Sequence, residues 1–149
     1  MALRVVLTGV HHLLKLNWLV SRPRTFGAHA FALTPARKLV LVKLRYAPGW
    51  RLPGGGRSEQ EDASQAVLRE LREEIGMTSH GNVTLAAELD QSVDFKRDLA
   101  SVFVVENVIY RPRRWSWEIE RIVEAPLDDL PRDMAVPAKR WIAAVRDKL

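Results

Sequence analysis

Apolar positions recur along this chain with two different periods. Near the start, Leu13, Leu16 and Val20 fall at helical spacing with Leu14 beside them, which predicts an amphipathic helix. Residues 28–33 and 38–44 are almost continuously apolar, and "TPAR" (34–37) between them is a turn with proline at its second position. We expect these two segments to pair as a buried hairpin. Strand patterns return over 83–89, 99–110 and 119–127. The last segment, 136–149, predicts a helix with Pro137 in its first turn and Trp141, Val145 and Leu149 on one face. A further helix is expected from about Asp62 to Ile75, ended by Gly76 as a left-handed cap. The segments 45–60, 90–98 and 111–118 read as loops.

This order of elements implies an α/β (α+β) domain. We expect a mixed central sheet with a helix packed on each side, an α/β/α sandwich, preceded by the amphipathic helix. We divide the chain into a helical extension, 1–24, and a main domain, 25–149. A length of 149 residues suits one core of this kind. Arg4, His11, His12 and Lys15 interrupt the apolar N-terminal segment and make a membrane span too costly. One early arginine and no small-x-small site speak against a signal peptide. The helix is instead expected to pack on the domain or on a second copy of the chain as a homodimer. Contact with a membrane surface is the less favoured reading.

The absence of cysteine excludes disulfides, thiolate zinc sites and a cysteine nucleophile. It fits a reducing compartment, and we expect a cytoplasmic protein. The net charge of +5 favours anionic partners. Basic residues are scattered, with pairs at Arg22/Arg24, Lys96/Arg97 and Arg113/Arg114 but no run of five or six. Nucleic acid is therefore not an expected partner.

The candidate chemistry lies in "RELREEIG" (69–76). On a helix Glu70, Glu73 and Glu74 share one face, and like charges at that spacing repel by a few tenths of a kcal/mol per pair. Leu68, Leu71 and Ile75 fall on the neighbouring face. An oxygen-only cluster suits magnesium or manganese rather than zinc or copper. A bland alternative is a surface helix with Glu–Arg pairs, for which Arg69 and Glu73 have the i, i+4 spacing. The triple glycine Gly54 to Gly56 runs directly into this helix, and glycine lets backbone approach a phosphate or metal closely.

From Gly55 to Met77 the chain reads "GGRSEQEDASQAVLRELREEIGM", with Gly55, Glu61, Arg69-Glu70-Leu71, Glu73-Glu74 and Gly76 at fixed offsets. This resembles the signature of the Nudix hydrolases at every defined position, and the lead-in "GWRLPGG" (49–55) is similar too. The likeness in strand order runs over residues 27–131. It implies water attack on a nucleoside diphosphate derivative or a nucleoside triphosphate, with divalent cations held by Glu70, Glu73, Glu74 and the Gly55 carbonyl. It also implies that Arg69 orients a catalytic glutamate. The general base is then Glu70 or Glu118, the acid of "WSWEIER" (115–121).

Lys43, Arg45 and Arg51 flank the glycine loop as candidate phosphate contacts, with Lys43 and Arg45 on one strand face by alternation. Phe95, Trp115 and Trp117 are candidate stacking platforms for a base. Marks of several subgroups are missing. Ser92 stands where ADP-ribose-cleaving members tend to have proline, and no tyrosine lies in 92–96. The isomerases of this fold use a cysteine that the chain lacks. The alternative to a hydrolase is a nucleotide-sensing module that binds without cleaving. Such modules generally show eroded box acids, and here all are present.

Overall fold

The computed structural model describes residues 2–21, 24–93 and 96–149. Helix α1 (Ala2–Ser21) leads into β1 (Arg24–Ala32), β2 (Leu39–Leu44), β3 (Trp50–Arg51) and β4 (Gly54–Arg57). Helix α2 (Ala63–Ile75) is followed by β5 (Met77–Ser79), β6 (Val83–Val93), β7 (Lys96–Val105), β8 (Ile109–Tyr110) and β9 (Ile119–Ala125). Helix α3 (Val136–Arg146) comes last.

Four strands form a mixed sheet in the order β4-β1-β7-β6, with β1 antiparallel to β4 and parallel to β7. Strands β3, β2 and β9 form an antiparallel sheet, and β5 pairs with β8. Strand β1 is apolar on both faces because each face meets a helix. Ala28, Ala30 and Ala32 share a core with Val67, Leu71 and Ile75 of α2. Phe31 and Leu33 share the other core with Ala138, Trp141, Ile142 and Val145 of α3. Strand β2 divides in the same way, Val40 and Val42 toward α2 and Leu39 and Leu41 toward α3. The result is the expected α/β/α layering.

Three expectations need correction. Strands β1 and β2 do not form a hairpin ladder: they belong to different sheets and meet in one bridge, Leu33 with Leu39. Residues 45–60 are not all loop, since β3 and β4 lie within them. Glycine is a poor strand former, but Gly54 to Gly56 pair with β1 in register. The segment 90–98 is also largely strand, as β6 reaches Val93 and β7 starts at Lys96.

Helix α2 has the predicted ends. The Asp62 carboxylate accepts the Gln65 N–H at 3.0 Å, and Gly76 closes the helix at φ 72°. Asp62→Ala is expected to lower stability by about 1 kcal/mol, read as the midpoint of urea unfolding.

The apolar stripe of helix α1 is not covered by the domain. Leu13, Leu14 and Leu16 are exposed, as are Val5, Val6 and Val10. The Val20 side chain lies outside the described residues. The less exposed side is mixed, with Leu3, Leu7, Thr8, His11 and Lys15 half-buried; Arg4 pairs with Glu120 at 3.5 Å, and the His11 ring lies 5.3 Å from that of Tyr46. Among the described residues no helix is long and apolar enough to cross a membrane.

Candidate active site

The site is built where β4, α2 and the loop before β9 face one cavity of about 880 Å³. Amphipathicity fixes α2: burying Val67, Leu71 and Ile75 turns Glu70 and Glu74 toward the glycine strand, while Glu73 is exposed beside Arg69. The Gly54 N–H donates to Glu74 Oε2 at 3.0 Å. Gly55 lies so close to Glu70 that an added Cβ would sit 2.7 Å from Oε1. A side chain at 55 would push the Glu70 carboxylate out of this position.

Arg69 stands among the acids. Its Nε donates to Glu61 Oε1 at 3.1 Å, and Nη1 donates to Glu70 Oε1 at 3.0 Å and to Glu73 Oε2 at 3.3 Å. Nη2 adds bonds to Glu61 Oε2 and the Gly56 carbonyl, each at 3.4 Å. The i, i+4 pair is therefore present, but as one branch of a network that joins α2 to β4 and Glu61. Burial raises the Glu70 carboxyl above its ordinary range; Arg69 opposes this, while Glu73 and Glu118 reinforce it. Glu74 is raised further, again by burial first. The Gly54 N–H works against that rise, and the charges of Glu118, Glu70 and Glu73 add to it. The fold thus gathers several carboxylates around Arg69 and the glycine strand.

Glu118 lines the same cavity as Glu74. Tyr46 donates its hydroxyl to Glu118 Oε1 at 2.8 Å. Burial, then the Glu118 charge, pushes the phenol up, so it remains a donor through neutral pH. Ser116 holds the loop by accepting the N–H groups of Glu118 and Ile119 at 3.2 and 2.9 Å.

The structure separates the other candidates. Arg51 lines the cavity, but Lys43 and Arg45 do not. From this part of the chain the cavity takes Val42, Leu44 and Tyr46. Lys43 pairs instead with Asp133 at 3.2 Å, and Arg45 donates to the Ser116 carbonyl at 2.8 Å. Trp115 and Trp117 lie edge to face at 4.4 Å on the surface, outside the cavity lining. Phe95 lies outside the described residues.

Several lining residues were not anticipated. Arg24 and Arg57 each set a guanidinium over the Phe26 ring, at 5.6 and 5.3 Å. His29 stacks on Trp141 at 3.9 Å, and burial with the Arg51 charge lowers it to about 3, so its ring is neutral. No short motif marks these positions. Only the strand pairing that sets His29 opposite Gly54 reveals them.

Comparison with known proteins fits this geometry. A NUDIX domain family model matches residues 23–145. The chain belongs to the Nudix family. An RNA pyrophosphohydrolase of Acidiphilium cryptum is 41% identical over 70 residues, 46% of this chain and 39% of that protein. Nudix hydrolase 27 of Arabidopsis thaliana is 44% identical over 48 residues, 32% of this chain and 21% of that protein. The chain thus matches well under half the length of these curated relatives. Among solved structures, a MutT Nudix hydrolase from Burkholderia pseudomallei superposes with a TM-score of 0.70 at 26% identity, covering 82% of this chain and 98% of that one. A MutT protein from Methanosarcina mazei shares the fold with a TM-score of 0.71 at 19% identity, covering 85% and 96%.

Nudix proteins generally use divalent metal ions. Among the described residues no three acid or imidazole side chains are already gathered at metal-binding spacing. The donor set nonetheless fits a hard cation. Glu70 and Glu74 are oxygen donors whose carboxyls burial raises, and Gly55, lacking a Cβ, lies directly against Glu70.

Proposed function

We propose that this Nudix chain is a magnesium-dependent pyrophosphohydrolase acting on a nucleoside diphosphate derivative or a nucleoside triphosphate. Residues 25–149 are its catalytic domain. One observation carries the reading: Glu74, which accepts the Gly54 N–H, lines one cavity with Glu118, which Tyr46 holds, while Glu70 is packed beside Gly55 of the same glycine strand. Glu70, Glu73, Glu74 and the Gly55 carbonyl would hold Mg2+ or Mn2+, which would neutralise phosphate charge and polarise the scissile anhydride.

The chain's own groups supply the rest. Glu118 is the general base: it takes a proton from water as the oxygen attacks phosphorus, the bridging P–O bond breaks, and the phosphate-bearing group leaves. Glu70 suits a ligand better than a base, because Arg69 and Gly55 confine its carboxylate. Arg69 keeps Glu61, Glu70 and Glu73 in one arrangement. Arg51 and Arg57 line the cavity as cations for the phosphates.

The test is a nucleotide panel with Mg2+, read as released phosphate or pyrophosphate. Cleavage of at least one class is expected, and Mg2+ is expected to raise the melting temperature. A chain that cleaves nothing, and whose melting temperature Mg2+ leaves unchanged, overturns the reading. Calorimetric binding without turnover would make it a sensing module. Tyr46→Phe removes the bond to Glu118 while keeping the ring. It is expected to lower kcat about tenfold with little change in KM. An unchanged kcat would show that Glu118 needs no such support.

A further inference from the structure

A second, smaller cavity of about 220 Å³ lies beside the catalytic one, and Glu74 lines both. Basic residues that are scattered in the sequence gather around it. Arg45 comes from just past β2, Arg113 and Arg114 from the loop 111–118, and Arg121 from β9. Two carboxylates accompany these four guanidiniums, and each has another partner. Glu120 pairs with Arg4 at 3.5 Å, and Glu74 accepts the Gly54 N–H at 3.0 Å. Among the described residues none of the four arginines forms an ion pair.

The loop that carries the central pair is tied down at both ends. The Arg111 N–H donates to the Gly76 carbonyl at 2.9 Å, which joins the start of the loop to the end of α2. The Arg45 N–H donates to the Glu118 carbonyl at 2.9 Å, and Arg45 Nε donates to the Ser116 carbonyl at 2.8 Å. The Arg45 guanidinium also lies 5.8 Å from the centre of the Trp115 ring, which lines the same cavity. Like charges gathered in this way repel, and an anion relieves the repulsion. A carboxylate offers two oxygens in one plane. A phosphate offers three, spread over a tetrahedron, which suits guanidiniums that converge from separate segments.

We infer that the cavity lined by Arg45, Arg113, Arg114 and Arg121 is an anion site that takes a phosphate group beside the catalytic cavity. Two sources offer that chemistry: a phosphate of the substrate beyond the scissile linkage, or a free phosphate acting as an effector. The site stands apart from the proposed hydrolysis; only the choice between the two sources rests on it.

The experiment is calorimetric titration of the full chain with inorganic tripolyphosphate, with chelator present and ionic strength fixed. The parent is expected to bind it. Arg113→Gln/Arg114→Gln is expected to weaken binding about tenfold or more with an unchanged melting curve, since both side chains are exposed. Lys38→Gln/Lys139→Gln removes the same charge from exposed positions elsewhere and is expected to change the affinity by no more than about twofold. The inference is overturned if the parent binds no tripolyphosphate, or if the arginine pair weakens binding no more than the lysine pair does, which would mean net charge alone. Kinetics with Mg2+ then separate the sources. If the substrate fills the site, the arginine variant raises KM for a nucleoside triphosphate more than for a nucleoside diphosphate sugar. If a free phosphate fills it, inorganic phosphate slows the parent and slows the variant less. Neither effect in an active parent would overturn the role beside the catalytic cavity. A parent that binds tripolyphosphate as expected but cleaves nothing would overturn the proposed hydrolysis and leave the anion site standing.

Discussion

Glu74→Gln is expected to lower kcat/KM about a thousandfold while raising the melting temperature of the metal-free protein at neutral pH. The loss follows from removing one carboxylate of the proposed cation site, where electrostatic stabilisation is worth several kcal/mol. The gain follows from the titration of Glu74. Its carboxyl is raised well above the ordinary value of 4.5, chiefly by burial. A carboxyl raised on folding favours the folded state most fully below its unfolded pKa, and that stability is lost as pH rises through the folded value. The parent therefore carries a destabilising charge above the usual carboxylate range. Glutamine carries no charge there and still offers an oxygen to the Gly54 N–H. Calorimetry with chelator should find the variant more stable at pH 8 and the two proteins converging near pH 4. Excess Mg2+ should narrow the difference at pH 8 by stabilising the parent. A variant less stable than the parent at pH 8 would refute the charge argument.

Gly54→Ala is expected to cost about 3 kcal/mol or more and to remove activity with it. Gly54 has φ 152°, and an added Cβ would lie 2.3 Å from the Ala28 carbonyl oxygen and 2.7 Å from His29 Cα. Both are backbone atoms of β1, so neither can turn aside. Relief requires β4 to move off β1, which also withdraws the Gly54 N–H from Glu74. Gly56→Ala is the control: its Cβ meets nothing nearer than the Phe26 carbonyl oxygen at 3.9 Å. It should change stability by no more than about 0.5 kcal/mol. Chemical unfolding of the two variants checks this, and equal midpoints would mean that β4 is not held as described.

The contrast between the two glycines shows what the sequence could and could not reveal. Helix α2 was legible to its ends because caps are local: Asp62 and Gly76 act within a few residues of themselves. The acidic face was legible for the same reason. Strand partners were not. Residues 28–33 and 38–44 are apolar on both sides, and nothing local says that they join different sheets. Alternation paired Lys43 with Arg45 but could not say which face of β2 meets the cavity. Tyr46, His29 and Arg57 matter through partners far away in sequence. Helix α1 shows a different limit: helical period shows where an apolar stripe lies, not whether the domain or a second copy covers it.

Strand β1 has a consequence for the order of assembly. One edge takes β4, about thirty residues downstream, and the other takes β7, as in the Thr25–Asp98 bond across 73 residues. A chain emerging from the ribosome would have the whole acidic helix and glycine strand in hand while β1 still lacked its inner neighbour. Closing so long a separation is slow, because its loop entropy is lost before its contacts are gained. The carboxylates should therefore exist as a charged, unsupported helix until residues near Val105 arrive. A cation that binds only the finished site would then speed folding little and slow unfolding markedly.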